Sequence, residues 1–264
     1  MPNKVTIVQA RMRSSRLPEK VMKPILGKSV LELMMERLLR SQKCGTVVVA
    51  TSDQSADDVI ETHCKEKGYP VFRGNENDLL DRHYQCAKLF QADIVAKIPS
   101  DCPLIDPQII DKVFEHYEAH NYDFVSNLHP ASYPDGNDVE IFSFAALERA
   151  HSEAQKQLER EHTTPYFWEH PEIFSIANVT WETGLDYAMS HRFTLDYIED
   201  FEFIKTVYEE LYPTNPHFSL GDILRLLESK PEIYAINAKY AGVNWYRNHL
   251  DELKTVDSSM TKSI

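Results

Sequence analysis

The chain has 264 residues, 42% hydrophobic and 26% charged, with a formal net charge of −13. That length suits one large α/β domain, or one domain with an appendage, and supplies enough apolar residues for a real core. The acidic balance argues against a general nucleic-acid or anionic-membrane surface, so a cluster of cations in this chain reads as a local anion site.

Such a cluster comes first in chain order. The apolar run Val5 to Val8 reads as a buried strand that opens into QARMRSSRLPEK, residues 9–20, with Arg11, Arg13, Arg16 and Lys20 on one loop. A helix with apolar residues at Leu31, Met34, Met35 and Leu38 follows, with Ser29 as its expected N-cap. Strand, cationic loop and helix form an arrangement suited to polyphosphate. The loop lacks the spaced glycines of a Walker A or dinucleotide motif, so long side chains have to neutralise charge where a glycine loop would use backbone. Ser14 and Ser15 add hydroxyl donors. An exposed basic loop with no ligand is the plainer alternative.

The next elements alternate. TVVVATS (46–52) and YPVFRG (69–74) read as strands around a helix at about 56–67, and a helix from Leu79 to Phe90 precedes the buried strand DIVAKIPSD (93–101). Pro107 starts a further helix through Tyr117. This rhythm predicts an α/β fold with a mostly parallel sheet, helices on both faces, and the loops after its strands on one ligand-binding rim. The second half is less regular. DFVSN (123–127), DVEIFS (138–143) and IFSIANV (173–179) read as strands around a helix from about Phe144 to Leu158, and 127–190 is expected as an inserted lobe of a single domain. RFTLD (192–196) reads as a return to the main sheet, followed by helices through Tyr212 and from Leu220 to Glu228.

Asp101 leaves a buried strand on the expected rim, and Asp196 ends RFTLD in a similar place. Two carboxylates facing a cationic loop make sense if a divalent cation, magnesium for preference, bridges them to phosphate oxygens. An aspartate taken alone reads first as a helix N-cap, which Asp106 before Pro107 and Asp196 ahead of IEDFEFI both allow. Cys44, Cys64, Cys86 and Cys102 form no CxxC pair and no zinc-like spacing, which points to a reducing, cytoplasmic setting. No apolar run approaches the roughly 18 residues that cross a bilayer and strand-like sequence begins early, so neither membrane anchor nor signal peptide is expected.

Several separate motifs, among them VTIVQARMRSSRLPEK, VVVATSD, LLDRHYQCA, SDCPLIDP, YPDGNDVEIFS, EREHTTPYFWEHPE and TLDYIEDFEFI, occur in the order found in the cytidylyltransferase family. The chain resembles that family, which includes the acylneuraminate and 3-deoxy-manno-octulosonate enzymes, over about residues 4–238. The spore coat polysaccharide cytidylyltransferase-like branch is the nearest in pattern. The resemblance implies a Rossmann-like fold of the nucleotide-diphosphosugar transferase type, and transfer of CMP from CTP to an acidic sugar with release of pyrophosphate. It implies that Arg11, Ser14, Arg16 and Lys20 hold the triphosphate, that Ala10 brings backbone near the nucleotide, and that Arg73 approaches the cytosine. It also implies that Asp101 and Asp196 bind magnesium, with Arg11, Lys20 and Asp101 as the catalytic set, and that the enzyme is a homodimer. The chain departs from the family pattern at Ser100, where glycine is usual, and at Tyr197 and Ile198, where the second metal motif usually has Thr-Pro.

For the acceptor, the sequence offers Asp135, Asn137, Glu140, Arg160 and His162 among the aromatics Tyr133, Tyr166 and Trp168, a mixture of hydrogen-bonding groups and flat faces that suits a sugar. A helix-surface ion pair is the competing use of Arg160. Two other functions remain open at this level. A glycosyltransferase of related fold would consume a nucleotide sugar, and a non-catalytic nucleotide-binding protein would need no paired aspartates.

Overall fold

The computed structural model describes residues 2–263. KVTIVQ forms β1 (Lys4–Gln9), buried on both faces as a strand covered by helices on each side has to be. The basic loop follows and ends in a hairpin of β2 (Pro24–Ile25) and β3 (Lys28–Ser29). Leu26 and Gly27 turn that hairpin with φ of 51° and 79°, as a tight two-residue turn requires. The Ser29 hydroxyl accepts from Glu32 N at 3.0 Å and starts α1 (Val30–Leu38).

Strand and helix then alternate through β4 (Thr46–Ser52), α2 (Asp58–Lys67), β5 (Val71–Gly74), α3 (Leu79–Leu89), β6 (Ile94–Pro99) and α4 (Pro107–Ala119). Beyond β7 (Phe124–Ser126) come β8 (Glu140–Ser143), α5 (Phe144–Glu153), α6 (Gln157–His162), α7 (Pro165–Trp168) and β9 (Ile176–Asn178). Helices α8 (Ile198–Leu211), α9 (Leu220–Ser229) and α10 (Pro231–Ala235) follow. Apart from the β2–β3 hairpin, the seven other strands form one sheet in the order β5-β4-β1-β6-β8-β7-β9. Pairing is parallel from β5 through β6 and antiparallel on both sides of β8.

Strand alternation divides the core in two. Val8, Val49 and Ile98 pack with α1, α4 and α8 on one face, whereas Ile7, Val48 and Val95 pack with α3, α5 and α7 on the other. Phe142 on β8 stacks on Phe167 at 4.9 Å and lies 6.4 Å from Phe124, which itself stacks on Phe167 at 5.3 Å. Each such fully buried side chain contributes about 1.5–3 kcal/mol.

Three expectations change. The helix expected over 144–158 breaks after Glu153, because Glu159 reaches back to accept from Gln155 N and Lys156 N at 3.2 and 3.1 Å and starts α6 afresh. RFTLD is extended but adds no strand to the sheet. Its backbone pairs with loops instead, Phe193 N donating to Asp135 O at 2.7 Å and Leu195 N to Asp101 O at 2.8 Å. Gly136, at φ 102°, permits that approach, since a Cβ there would lie 2.6 Å from the Phe193 backbone. Finally, the segment expected as an inserted lobe supplies β8 and β9 to the main sheet.

Candidate active site

A cleft of about 780 Å³ opens where β1 and β6 end, bounded by the basic loop, the 127–138 loop and the segment after α10. Asp57 anchors the basic loop. Its carboxylate accepts from Met12 N at 2.7 Å and from Thr51 Oγ1 and Ser52 N at the end of β4 at 3.0 Å each. Glu19 N closes the loop on Met12 O at 2.8 Å. Glu19 itself sits at φ 62°, a strained conformation for a non-glycine residue, and the turn it makes carries Lys20 inward.

Lys20 is the centre of the site. Its buried ammonium donates to Asp101 Oδ2 at 3.2 Å, Asp196 Oδ1 at 3.0 Å and Leu195 O at 2.6 Å. Burial opposes the charge, but Asp101 and Asp196 outweigh it and hold the Lys20 pKa above its ordinary value. Arg16 reaches the same Asp196 oxygen at 2.6 Å. Asp196 meets a third cation in Arg192, whose Nη2 lies 3.2 Å from Oδ2. Lys20, Arg16 and Arg192 together overcome the burial of Asp196 and hold its carboxyl well below the usual range.

The loop carrying Asp101 is braced from behind. Arg37 Nε and Tyr208 Oη each donate at 2.7 Å, to Ile105 O and Pro103 O. Asp106 caps α4 as expected, accepting from Gln108 N at 2.9 Å. Asp196 does not act as a cap. The Asp200 carboxylate takes Asp196 N and Tyr197 N at 2.9 Å, which leaves the Asp196 side chain to face the cleft.

Ala10, Arg11, Ser14, Arg16, Lys20, Asp101 and Asp196 all line the cleft, as do Asp135, Asn137, Glu140 and His162. Within that group Asn137 has a structural job, bonding Asp106 N at 3.1 Å and Pro134 O at 3.2 Å. Arg73 and Arg160 do not line the cleft. Arg73 turns to α2, where Nη1 meets Asp58 at 2.5 Å and Glu61 at 2.8 Å while Nε and Nη2 bond Ser52 O and Gln54 O. The expected approach to a base is therefore not made by this side chain. Arg73→Ala should leave the ratio of CTP to UTP use unchanged in competition kinetics and cost about 1 kcal/mol in urea denaturation, the scale of a partly exposed ion pair. Arg160 binds Asp78 at 2.6 Å and His151 O at 2.7 Å, so it ties α6 to the start of α3.

Other cleft residues carried no motif. Arg192 lies within RFTLD, yet nothing in a short polar-apolar run marks an arginine that will be buried and bound to three aspartates. Lys97 interrupts an apolar strand, a signal that was available, and pairs with Glu140. Arg82 is 3% exposed on α3, and its Nε, like Gln9 Oε1, is buried without a partner among the described residues.

Asp138 lies beside this network, and burial followed by the charge of Asp101 pushes its carboxyl up to about 7. A carboxyl near 4 in the unfolded chain and near 7 in the folded one penalises folding increasingly between about pH 4 and 7. Asp138→Asn should therefore raise the melting temperature more at pH 7.5 than at pH 4.5, and an equal change at both would contradict the assignment.

Asp101 suits a cation ligand better than Asp196 does. Among the described residues one Asp101 oxygen holds Lys20 and the other has only a weak thiol contact at 3.8 Å, whereas both Asp196 oxygens are taken up by cations. Among the described residues no group of three or more His, Cys, Asp or Glu side chains is arranged to hold a metal ion. A cation at Asp101 would therefore need oxygens from a bound phosphate.

A mostly parallel α/β sheet with a cationic loop and carboxylates at its C-terminal rim defines a Rossmann-like protein of the nucleotide-diphosphosugar transferase fold. A CMP:2-keto-3-deoxy-manno-octonic acid synthetase solved with CTP shares that fold with a TM-score of 0.60 at 16% identity, over 79% of this chain and all of that one. The chain belongs to the cytidylyltransferase family, whose pattern it matches over residues 5–221. A cytidylyltransferase from Leptospira borgpetersenii superposes with a TM-score of 0.82 at 34% identity, covering 88% of this chain and 97% of that one. An uncharacterized protein of Methanocaldococcus jannaschii is 35% identical over 89% of this chain and 94% of its own length. The spore coat polysaccharide biosynthesis protein SpsF of Bacillus subtilis is 29% identical over 86% and 94%.

Proposed function

We propose that the protein transfers CMP from CTP to an acidic sugar or a related acceptor, releasing pyrophosphate, as a step in surface polysaccharide synthesis. The observation that carries this reading is the cluster of Arg16, Lys20, Asp101 and Asp196 at the sheet rim of a cytidylyltransferase-family chain. The name of the Bacillus relative supports the polysaccharide role. A 3-deoxy-manno-octulosonate cytidylyltransferase from Trichlorobacter lovleyi, 30% identical over 43% of this chain and 44% of its own, supports the acidic acceptor.

In the transfer, an acceptor hydroxyl oxygen bonds to the α-phosphorus, the bond from that phosphorus to the oxygen bridging the β-phosphate breaks so that this oxygen leaves with pyrophosphate, and the hydroxyl proton passes to water. Such a reaction needs no protein nucleophile; it needs the phosphates positioned and their developing charge met. Arg11, Arg16 and Lys20 meet that charge from the basic loop, and Asp196 holds Arg16 and Lys20 in place. A magnesium ion held by Asp101 and phosphate oxygens would further offset the charge on the departing pyrophosphate. We place the enzyme in the cytoplasm as a homodimer, to be checked by a solution mass twice the chain's 30.6 kDa.

The deciding assay incubates the protein with each nucleoside triphosphate, magnesium and a panel of acidic sugars, and follows pyrophosphate. Release with CTP, at least about tenfold faster than with UTP, is the expected result. Equal use of the two would refute cytidylyl specificity, and CMP release from a nucleotide sugar without CTP turnover would indicate a glycosyltransferase.

A further inference from the structure

Beyond Asp101 the cleft ends in a chamber floored by Lys97 and Glu140, register partners on β6 and β8. Lys97 is 8% exposed and Glu140 3%. The two side chains pair, and Lys97 has no other hydrogen bond among the described residues, so two of its three donor positions are unused. On one wall the ring of His129 lies against Trp168, centroids 4.4 Å apart. Trp168 is 3% exposed, and its indole N–H is buried with no acceptor among the described residues. The other wall comes from the segment after α10, outside the residues that match the family pattern. There Trp245 stacks on His162 at 3.9 Å, and Tyr246 Oη lies 3.4 Å from His129 Nε2.

An ammonium with unused donor positions and an indole N–H without an acceptor, both shielded from bulk water, call for a ligand oxygen even though Asp138 and Asp135 line the cleft nearby. Flat aromatic faces beside them suit the apolar face of a sugar ring. Burial lowers the His129 pKa to about 4 and that of His162 to about 3, so both rings are neutral and Lys97 is the cation of the chamber.

We infer that this chamber is the acceptor subsite, in which the carboxylate of an acidic sugar is held by the Lys97 ammonium and the Trp168 indole N–H, with the ring against Trp245. This rests on the nucleotidyl-transfer reading and adds to it the residues that select an acid over a neutral sugar. Glu140 holds the ammonium in place and accepts from a sugar hydroxyl.

The test compares 3-deoxy-manno-octulosonate and N-acetylneuraminate with their methyl esters, which keep the ring but lose the charge. Binding is read by tryptophan fluorescence of the full chain, and turnover by pyrophosphate release with CTP and magnesium. At least one acid should bind wild type about tenfold or more tightly than its ester, in keeping with a charge-assisted contact. Because Lys97→Met alone leaves Glu140 buried and unpaired, the double variant Lys97→Met/Glu140→Gln is the informative one. It should lose the preference for the acid while its CTP affinity stays within about twofold of wild type, as expected for sites without shared partners. Trp168→Phe should weaken acid binding severalfold and leave CTP binding alone. Acid and ester binding equally to wild type, or a double variant that keeps the preference, would overturn the assignment. Selective acid binding with no pyrophosphate from CTP would instead support the chamber and sink the transferase reading.

Discussion

Lys20→Met should lower kcat/KM for CTP by about 10²–10³, the loss expected when a preorganised donor aimed at developing charge is removed. The ammonium touches both aspartates of the site at 3.2 and 3.0 Å, and its side chain is 11% exposed, so solvent does little to replace it. The substitution leaves Asp101 facing an incoming triphosphate without its cation. Asp196 keeps Arg16 and Arg192, so the loss of stability should be smaller than the loss of activity. Lys20→Arg separates charge from geometry. A planar guanidinium cannot reproduce three contacts converging on one nitrogen, and only partial activity should return. Initial rates of pyrophosphate release, paired with a CTP titration, provide the measurement. Wild-type kcat/KM in Lys20→Met would remove this residue from the site.

Arg192→Leu should cost about 3–5 kcal/mol of stability, the scale for breaking a buried ion pair on one side. The Arg192 side chain is 1% exposed and reaches Asp135 and Asp196 at 3.2 Å and Asp200 at 3.0 Å. Its Nη1 also donates to Val243 O at 2.6 Å, which ties the segment after α10 to the site. Leucine leaves Asp200 buried, and Asp135 and Asp196 partly buried, with fewer partners. Urea denaturation should show a lower midpoint, and pH adds a signed check. Arg192 helps hold the Asp196 carboxyl below its usual range, so its stabilisation is full above the ordinary carboxylate range, near pH 4, and is lost as pH falls below that. The stability gap between wild type and variant should therefore be widest near neutral pH and close on acidification. A gap that widens in acid would contradict the network.

The cationic half of the candidate site is legible in the sequence because it is local. Val5 to Val8 followed by four cations in twelve residues needs no tertiary partner to be read, and β1 and the loop lie where that pattern puts them. Asp101 was legible for the same reason, standing where an apolar strand stops. The resemblance puts Arg73 near the cytosine from the end of β5, but a strand end sets only the backbone. Rotamers and neighbours set the guanidinium, and Asp58 and Glu61 on α2 offered it carboxylates. RFTLD has the alternation of a strand and lacks a strand's partner, because its backbone donors meet the Asp101 and Asp135 loops.

The sequence by itself determined the α/β rhythm, the basic loop, the strand-end aspartate and the family, since each depends on neighbours a few residues apart or on motif order. Tertiary structure decided which cations the aspartates meet, where Arg73 and Arg160 go, and what walls the far chamber. Arg192 and Asp135 are 57 residues apart in the chain, and Lys20 and Asp196 are 176 apart. Contacts across such separations exist only once the sheet has brought its C-terminal rim together. Which buried charge finds which partner is then settled by packing, for which no local pattern in the chain provides a signal.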